Sequence, residues 1–256
     1  MSHPISPFIP AVFVPVRDLK SATEWYAALL ERQLVPREYT DGIYVFDFGG
    51  TSLILDSHFA GKPPMTMFDT SDAAEAHQLC AGLPHSTLSE VFSDEFLSVF
   101  TIDTAMMICQ VHRLDDQANP KPPHALLSKI SHVLVHTDEM AGTVGKYEQL
   151  IGRPATADTV FEEMISIRMD KGPDLLFDDN RLSRSPSVWF DSVQQELRVH
   201  PIAILETGEL DSVLDRMLSR GASVPHGIET RLGVRCFVFG DPDGNEFMVR
   251  ESTAAK

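Results

Sequence analysis

One order of hydrophobic patterns recurs along the chain: an alternating stretch, an acidic residue, an amphipathic stretch, and then short alternating stretches separated by turn residues. In residues 8–58, "IPAVFVPV" alternates apolar side chains and predicts a strand, and Asp18 is placed to cap a following helix. "IYVFDF" and "SLILDS" predict two further strands across a Gly-Gly turn. The helix is predicted over residues 19–31 from apolar side chains at helical spacing: Leu19, Ala22, Tyr26, Leu29 and Leu30.

The same order returns in residues 64–112, 130–180 and 198–251, which indicates an internal repeat. Val12 matches Val133 at an offset of 121 residues, and Asp56 matches Asp178 at an offset of 122. "MFDTSDA" aligns with "ILETGEL" at 137, and the turn at residue 103 aligns with the turn at residue 241 at 138. We therefore predict an α+β fold of four βαβββ modules, paired into two domains with curved mixed sheets. Helices should cover the outer face of each sheet and leave the other face open.

The stretch "RLDDQANPKPPHALLSK", residues 113–129, has the proline-rich polar composition of a linker. We predict an N-terminal domain over residues 1–116, a linker over 117–128 and a C-terminal domain over 129–256. The linker favours pairing of consecutive modules, and a crossed pairing stays open.

Charge and cysteine content narrow the classes of partner. The 37 acidic residues outnumber 21 basic ones, giving a net charge of −16, and no basic run is present. Nucleic acids and anionic membranes would repel such a chain, so we expect neither as a partner. The N-terminal segment lacks a signal-peptide pattern. Three widely spaced cysteines are typical of reduced, buried thiols, and we expect a cytoplasmic protein.

Several motifs together resemble a known family. The four modules, the strand "ISHVLVHTDEM", the "WY" or "KY" inside the first helix of each half and the terminal "DPDGNEFMV" resemble the vicinal oxygen chelate superfamily. That superfamily includes glyoxalase I, fosfomycin-resistance transferases, bleomycin-binding resistance proteins and extradiol dioxygenases. The resemblance implies a cup formed by two modules, in which two histidines on first strands and a glutamate on a last strand hold a divalent metal.

Carried over by position, the resemblance places His132, His200 and Met248 at the three ligand positions of the second half. A neutral thioether suits the hard or borderline ions of this family poorly. Glu246 lies two residues earlier on the same strand face and could replace the missing carboxylate, whereas Arg250 on that face disfavours a cation. In the first half the same positions are occupied by Ala11, Pro63 and Gln110, so we expect no metal there.

The open faces of the two sheets supply the candidate binding residues. In the second half these are His132, His136, His200, Glu246, Met248 and Arg250, with His136 suited to an anionic ligand or a shifted metal site. In the first half they are Phe13, Asp56, Met65, Met67, Gln110 and His112, beside Ala11, Pro15, Ile54 and Ile108. Asp56 and Asp178 end matching strands, either at a solvent rim or as hydrogen-bonding groups for a ligand. An apolar wall with few polar groups suits a small organic ligand, and a collapsed core fits the sequence equally well.

Two functional hypotheses follow. In the first, the protein binds a small organic ligand without metal or other cofactor, like the bleomycin-resistance branch. In the second, it is a metal-dependent lyase or dioxygenase whose C-terminal site holds iron, manganese, zinc or nickel through His132, His200 and Glu246. Whether the protein is an enzyme stays open, as does the choice between monomer and homodimer.

Overall fold

The computed structural model describes residues 3–34, 39–112, 126–183 and 200–252. The first half contains β1 (Ala11–Pro15), α1 (Leu19–Leu29), β2 (Tyr39–Thr40), β3 (Ile43–Asp47), β4 (Ser52–Asp56), β5 (Met65–Asp69), α2 (Ala73–Ala81), β6 (Phe92–Ser93), β7 (Leu97–Ile102) and β8 (Met106–Val111). The second half contains β9 (Lys129–His136), α3 (Met140–Ile151), β10 (Thr156–Ala157), β11 (Ile165–Ile167), β12 (Asp174–Asp178), β13 (Ala203–Thr207), α4 (Leu210–Ser219), β14 (Glu229–Arg231), β15 (Val234–Gly240) and β16 (Glu246–Glu251).

The strands form two mixed sheets with the same topology. The first has the order β2-β3-β4-β1-β5-β8-β7-β6, and the second has the order β10-β11-β12-β9-β13-β16-β15-β14. In each sheet the two central strands are antiparallel neighbours, β1 with β5 and β9 with β13. Each central strand is also parallel to the last strand of its own module. Consecutive modules therefore share a sheet, and the mixed α+β architecture agrees with the prediction.

Local signals in the sequence explain where the helices begin. Asp18 accepts a hydrogen bond from the main-chain N–H of Ser21 and caps α1, as predicted. Asp72 caps α2 in the same way. Gly152 ends α3 in the left-handed conformation, with φ 72°. These caps fix the registers at which the apolar stripes of the helices meet the sheets.

The helix-covered faces of the two sheets belong to one continuous core. Helix α1 joins the halves: the Tyr26 hydroxyl donates to Asp241 at 2.8 Å, and the Trp25 ring centroid lies 6.5 Å from that of Phe239. Burial raises the pKa of Tyr26 well above its usual value, and the charge of Asp241 adds to the effect. Lys146 of α3 pairs with Asp103 of the first half. No described helix contributes to the apolar clusters on the other faces of the two sheets, which we call the helix-free faces.

Other predictions have mixed outcomes. All three cysteines are buried and free, as expected for packed thiols. Most of the predicted linker lies outside the described residues, but Leu126 and Leu127 at its end are buried in the core. The domain boundaries stay a prediction. Among the described helices, none has both the length and the apolar content needed to cross a membrane.

Candidate ligand-binding cups

The helix-free face of each sheet carries its own apolar cluster. We call the face of the first sheet the N-terminal cup and that of the second sheet the C-terminal cup. The N-terminal cup is built from Ala11, Phe13, Ile54 and Met65, surrounded by partly exposed Ile43, Val45, Phe59, Met67 and Met107. The C-terminal cup is built from Leu134, Phe161, Met164, Leu176, Leu182, Ile204, Cys236, Val238 and Met248. The two faces correspond in topology and differ in how they are covered.

Four of the six predicted binding residues of the N-terminal cup, Phe13, Asp56, Met65 and Met67, lie on the cup face. Phe13 contacts Phe59 edge to face, with ring centroids 6.2 Å apart and planes at 81°. Met65 and Met67 are on the same face as Phe13, since β1 and β5 pair Phe13 with Met65. Methionine and phenylalanine together give a wall that is apolar and adaptable in shape.

Asp56 is the charged group at one end of the N-terminal cup. It ends β4 two positions after Ile54 and therefore lies on the cup face. Its Oδ1 accepts a hydrogen bond from the main-chain N–H of His58 at 2.7 Å and lies 3.1 Å from His58 Nδ1. Within the part of the chain that the structure describes, Oδ2 has no hydrogen-bond partner.

Gln110 and His112 were assigned to the wrong face. Gln110 Oε1 accepts from the N–H of Ala73, and Gln110 Nε2 donates to the carbonyl of Ser71, so this side chain binds the start of α2 on the helix-covered face. His112 Nε2 lies 2.8 Å from the hydroxyl of Ser98, which precedes core residue Phe100 by two positions on β7. Neither side chain reaches the cup.

Hairpin length explains this error. In β8, Met107 faces the cup and Ile108 lies in the main core, which also corrects the prediction for Ile108. The paired core residues Ile102 and Met106 are four positions apart, whereas their counterparts Phe239 and Phe247 are eight apart. Met107 therefore corresponds to Met248, an offset of 141 residues where the turn gives 138, and this odd slip of three exchanges the two faces.

The C-terminal cup is filled by the protein itself. Phe161 and Met164, from the irregular segment between β10 and β11, and Leu182, after β12, pack over the sheet. Met248 beneath them is fully buried. Asp158 Oδ1 accepts hydrogen bonds from the N–H groups of Val160 and Phe161, both at 2.8 Å, and so holds the segment in place.

His132 lies in the C-terminal cup, where its ring nitrogens already have partners. Nε2 lies 3.3 Å from Asp158 Oδ2, and Nδ1 lies 3.0 Å from the hydroxyl of Ser131. That hydroxyl donates to the carbonyl of Ile204 and can therefore only accept from the ring. Burial alone would raise the pKa of Asp158, but hydrogen bonds from His132 and the Phe161 N–H hold it far below its usual value.

Arg250 forms a second buried ion pair on the same face. Its guanidinium pairs with Glu206, whose other oxygen lies 3.4 Å from Lys129 Nζ. Burial lowers the pKa of Arg250, and the charges of Glu206 and Asp158 partly offset that effect. The sequence interpretation missed Asp158 and Glu206. Glu206 could have been predicted as a residue of this face from the alternation of β13, because Glu206 pairs directly with Arg250 on β16.

His136, His200 and Glu246 meet at the far end of β9. His136 Nδ1 lies 3.1 Å from Asp178, and its Nε2 lies 2.9 Å from the carbonyl of Pro201. The ring centroids of His200 and His136 are 5.3 Å apart. The main-chain N–H of His200 donates to Glu246 Oε2 at 2.5 Å. The two histidines line a cleft of about 390 Å³ between the halves, together with Pro63, Pro64, Thr66, Ala105, Val133, Leu134, Val135, Tyr147 and Ile202.

The residues at the ligand positions implied by the family do not fit a divalent metal as they are placed. His132 pairs across the strands with Ile204, four positions beyond His200, so the two predicted histidines are not neighbours. The Nε2 atom of His132 already contacts Asp158, so it is not free to bind a metal. Met248 is packed among apolar side chains, and the positive charge of Arg250 lies on the same face of the sheet. Over the described ranges, no group of three or more His, Cys, Asp or Glu side chains could hold a metal ion.

Known proteins give a consistent picture of the fold. No protein-family model matches the chain, and no curated protein matches it. Among solved structures, the Mn(II)-bound glyoxalase from Novosphingobium aromaticivorans has a TM-score of 0.59 at 13% identity, covering 96% of this chain and 82% of that one. The 2,3-dioxygenase LapB from Pseudomonas sp. KL28 has a TM-score of 0.56 at 16% identity, covering 95% and 91%. A mutant 4-hydroxymandelate synthase from Streptomyces coelicolor has a TM-score of 0.55 at 14% identity, covering 98% and 94%.

Identities this low show the fold and nothing about the reaction. The two curved mixed sheets have one topology, and the neighbours cover about 95% of the chain. The chain therefore has the fold of the vicinal oxygen chelate superfamily, as its motifs predicted.

Proposed function

We propose that this protein binds a small apolar or aromatic molecule in the N-terminal cup without a metal ion. The observation that carries the proposal is the difference in covering between the cups. Phe161, Met164 and Leu182 fill the C-terminal cup, whereas Phe59, Met67 and Met107 of the N-terminal cup remain partly exposed around a buried apolar floor. A concave apolar surface with few polar groups is the usual form of a small-molecule site.

Metal independence is supported by the chemistry of the C-terminal cup. The buried contact of His132 with Asp158 and the buried ion pair of Arg250 with Glu206 occupy the face on which relatives of this fold would place a metal. Bringing a dication beside Arg250 would require these pairs to break, and breaking a buried pair is strongly unfavourable. Sequestration or sensing of a compound, as in the bleomycin-resistance branch, needs no such rearrangement.

The first experiment measures ligand binding. Small aromatic probes such as 2-ethylnaphthalene are expected to raise the melting temperature by several degrees at about 100 times the dissociation constant. Met67→Asp introduces a charge into the N-terminal cup and should abolish the shift. Met140→Asp, at the first position of α3, makes the same change outside the cup and should preserve it. Absence of stabilisation by every aromatic probe would contradict the proposal.

The second experiment measures metal. Protein purified without chelator or nickel resin should contain less than stoichiometric iron, manganese, zinc or nickel, and these ions should leave the melting temperature unchanged. A stoichiometric ion that is lost in His132→Ala would instead support a metal-dependent lyase or dioxygenase at the C-terminal cup.

A further inference from the structure

We infer that the N-terminal cup selects ligands that carry a protonated amine on an apolar or aromatic body, and that Asp56 binds the ammonium group. This inference rests on the proposed function and specifies its ligand. The starting observation is that Asp56 is a carboxylate on the wall of an apolar cup, with a side chain only 6% exposed. It pairs with Pro15 on β1 and Ile43 on β3, so it sits between strands.

The hydrogen bonding of Asp56 is incomplete. Both contacts with His58 involve Oδ1, and no donor among the described residues reaches Oδ2. Among the described residues, Oδ2 is not one of the fully buried side-chain atoms that lack a partner, so this oxygen keeps some accessible surface. An accessible, unpaired carboxylate oxygen beside apolar side chains is a position at which a ligand can place a hydrogen-bond donor.

Asp178 is the counterpart of Asp56 in the second half, and protein groups bind both of its carboxylate oxygens. Its Oδ1 accepts from the N–H of Leu182 at 2.9 Å, and its Oδ2 accepts from the Ser183 hydroxyl at 2.8 Å and contacts His136 at 3.1 Å. Burial raises the pKa of Asp178, but these hydrogen bonds outweigh it and leave the pKa below its usual value.

The first half lacks two of these donors. At the repeat offsets, Pro15 stands where His136 is found, and Gly61 stands where Ser183 is found. Neither has a side-chain donor. The carboxylate is present in both halves, but the donors that satisfy the second oxygen of Asp178 have no counterparts at the corresponding positions of the first half.

The chemistry around Asp56 indicates a cationic donor. A charged donor forms shorter and stronger hydrogen bonds with a carboxylate than a neutral one. The net charge of −16 attracts cations to the protein as a whole. The basic side chains nearby are engaged: His58 contacts Oδ1, and Lys62 lies over the Phe59 ring at 5.3 Å from its centroid. The apolar wall would hold the body of the ligand while Oδ2 accepts from the ammonium.

Three probes with one ring system test this inference by calorimetry: 2-(2-naphthyl)ethylamine, 2-ethylnaphthalene and 2-naphthylacetate. The wild-type protein should bind the amine about tenfold or more tightly than the neutral probe, and should bind the acid most weakly. Asp56→Asn should reduce amine affinity to that of the neutral probe and leave the neutral probe unchanged. Asp69→Asn is the matched control, since Asp69 is on the same face of β5 beyond Met67, at the opposite end of the cup. It should preserve the preference.

A second variant keeps the test decisive if Asp56→Asn does not fold. His58→Ala removes the competing donor from Oδ1 and should strengthen amine binding without changing the neutral probe. Equal binding of amine and neutral probes by the wild type, or loss of the preference in Asp69→Asn instead, would overturn the amine inference and leave the proposed function intact. No binding of any probe would overturn both.

Discussion

The two halves of this protein share one topology and use their helix-free faces in opposite ways. In the C-terminal cup, large apolar side chains, the His132–Asp158 contact and the Arg250–Glu206 ion pair complete the face, and Met248 is inaccessible. In the N-terminal cup, the apolar wall is partly exposed and Asp56 keeps one unpaired oxygen among the described residues. These differences in side chains are the basis on which we propose structural support for the C-terminal cup and ligand contact for the N-terminal cup. Each prediction below tests that division.

The largest effect is expected from breaking the buried pair of Glu206 and Arg250. Glu206→Leu leaves the guanidinium buried without its partner and should lower the free energy of unfolding by about 4 kcal/mol, measured by urea denaturation. The double variant Glu206→Leu/Arg250→Met replaces both charges with apolar groups and should recover most of the loss. Arg17→Met, at an exposed pair with Asp243, is the control and should change little. Equal effects of the Glu206 and Arg17 substitutions would show that the C-terminal pair is not structural.

The next effect compares one aromatic residue from each cup. Phe161 is fully buried over the C-terminal sheet, so Phe161→Ala should destabilise the protein by about 3–5 kcal/mol through the cavity it leaves. Phe59 is partly exposed at the rim of the N-terminal cup, and Phe59→Ala should cost less than half as much while weakening binding of the naphthyl probes. Similar destabilisation by both variants would mean that the N-terminal cup is also a packed core.

Much of this architecture could be predicted from the sequence, because its signals are local. Alternation placed Phe13, Met65 and Met67 on one face, and the Asp18 cap fixed the start of α1. The same alternation placed Glu246, Met248 and Arg250 together on β16. The spacing of apolar residues and the capping of helices depend only on nearby residues, so both can be predicted without knowledge of tertiary contacts.

The content of the C-terminal cup could not be predicted in this way. The segment containing Asp158 and Phe161 has no regular period, and its two contacts with His132 join residues 26 and 29 positions apart in the chain. The partner of Arg250 is 44 positions away. Such pairs depend on how strands and loops meet, and a single sequence carries no signal for them. The misplacement of Gln110 had a different cause, a hairpin whose length differs between the halves.

A smaller effect is expected from pH, and it also distinguishes the cups. The pKa of Asp158 is lower in the folded protein than in the unfolded chain. The unfolded state therefore binds protons first as pH falls, so stability from Asp158 is present above about pH 4 and is lost as pH falls through the folded pKa. Asp158→Asn should flatten the fall in unfolding free energy between about pH 5 and pH 3. An unchanged acid slope in that variant would show that the His132 contact does not stabilise the fold.

The smallest effect concerns two cysteines at the two cups. Cys109 lies on β8, two positions beyond Met107, and pairs with Asp69 on β5. Cys236 lies on β15 and pairs with Arg250 on β16 in the C-terminal cup. Burial raises the pKa of each thiol to about 11, so neither is an active nucleophile at pH 8 and access should decide their relative labelling. We expect a maleimide to label Cys109 before Cys236, as measured by peptide mass spectrometry. A bound naphthyl amine should leave the Cys236 reaction unchanged, because Cys236 lies in the other cup. Faster labelling of Cys236 would mean that the C-terminal cup opens more readily, and it would reverse the roles assigned to the two halves.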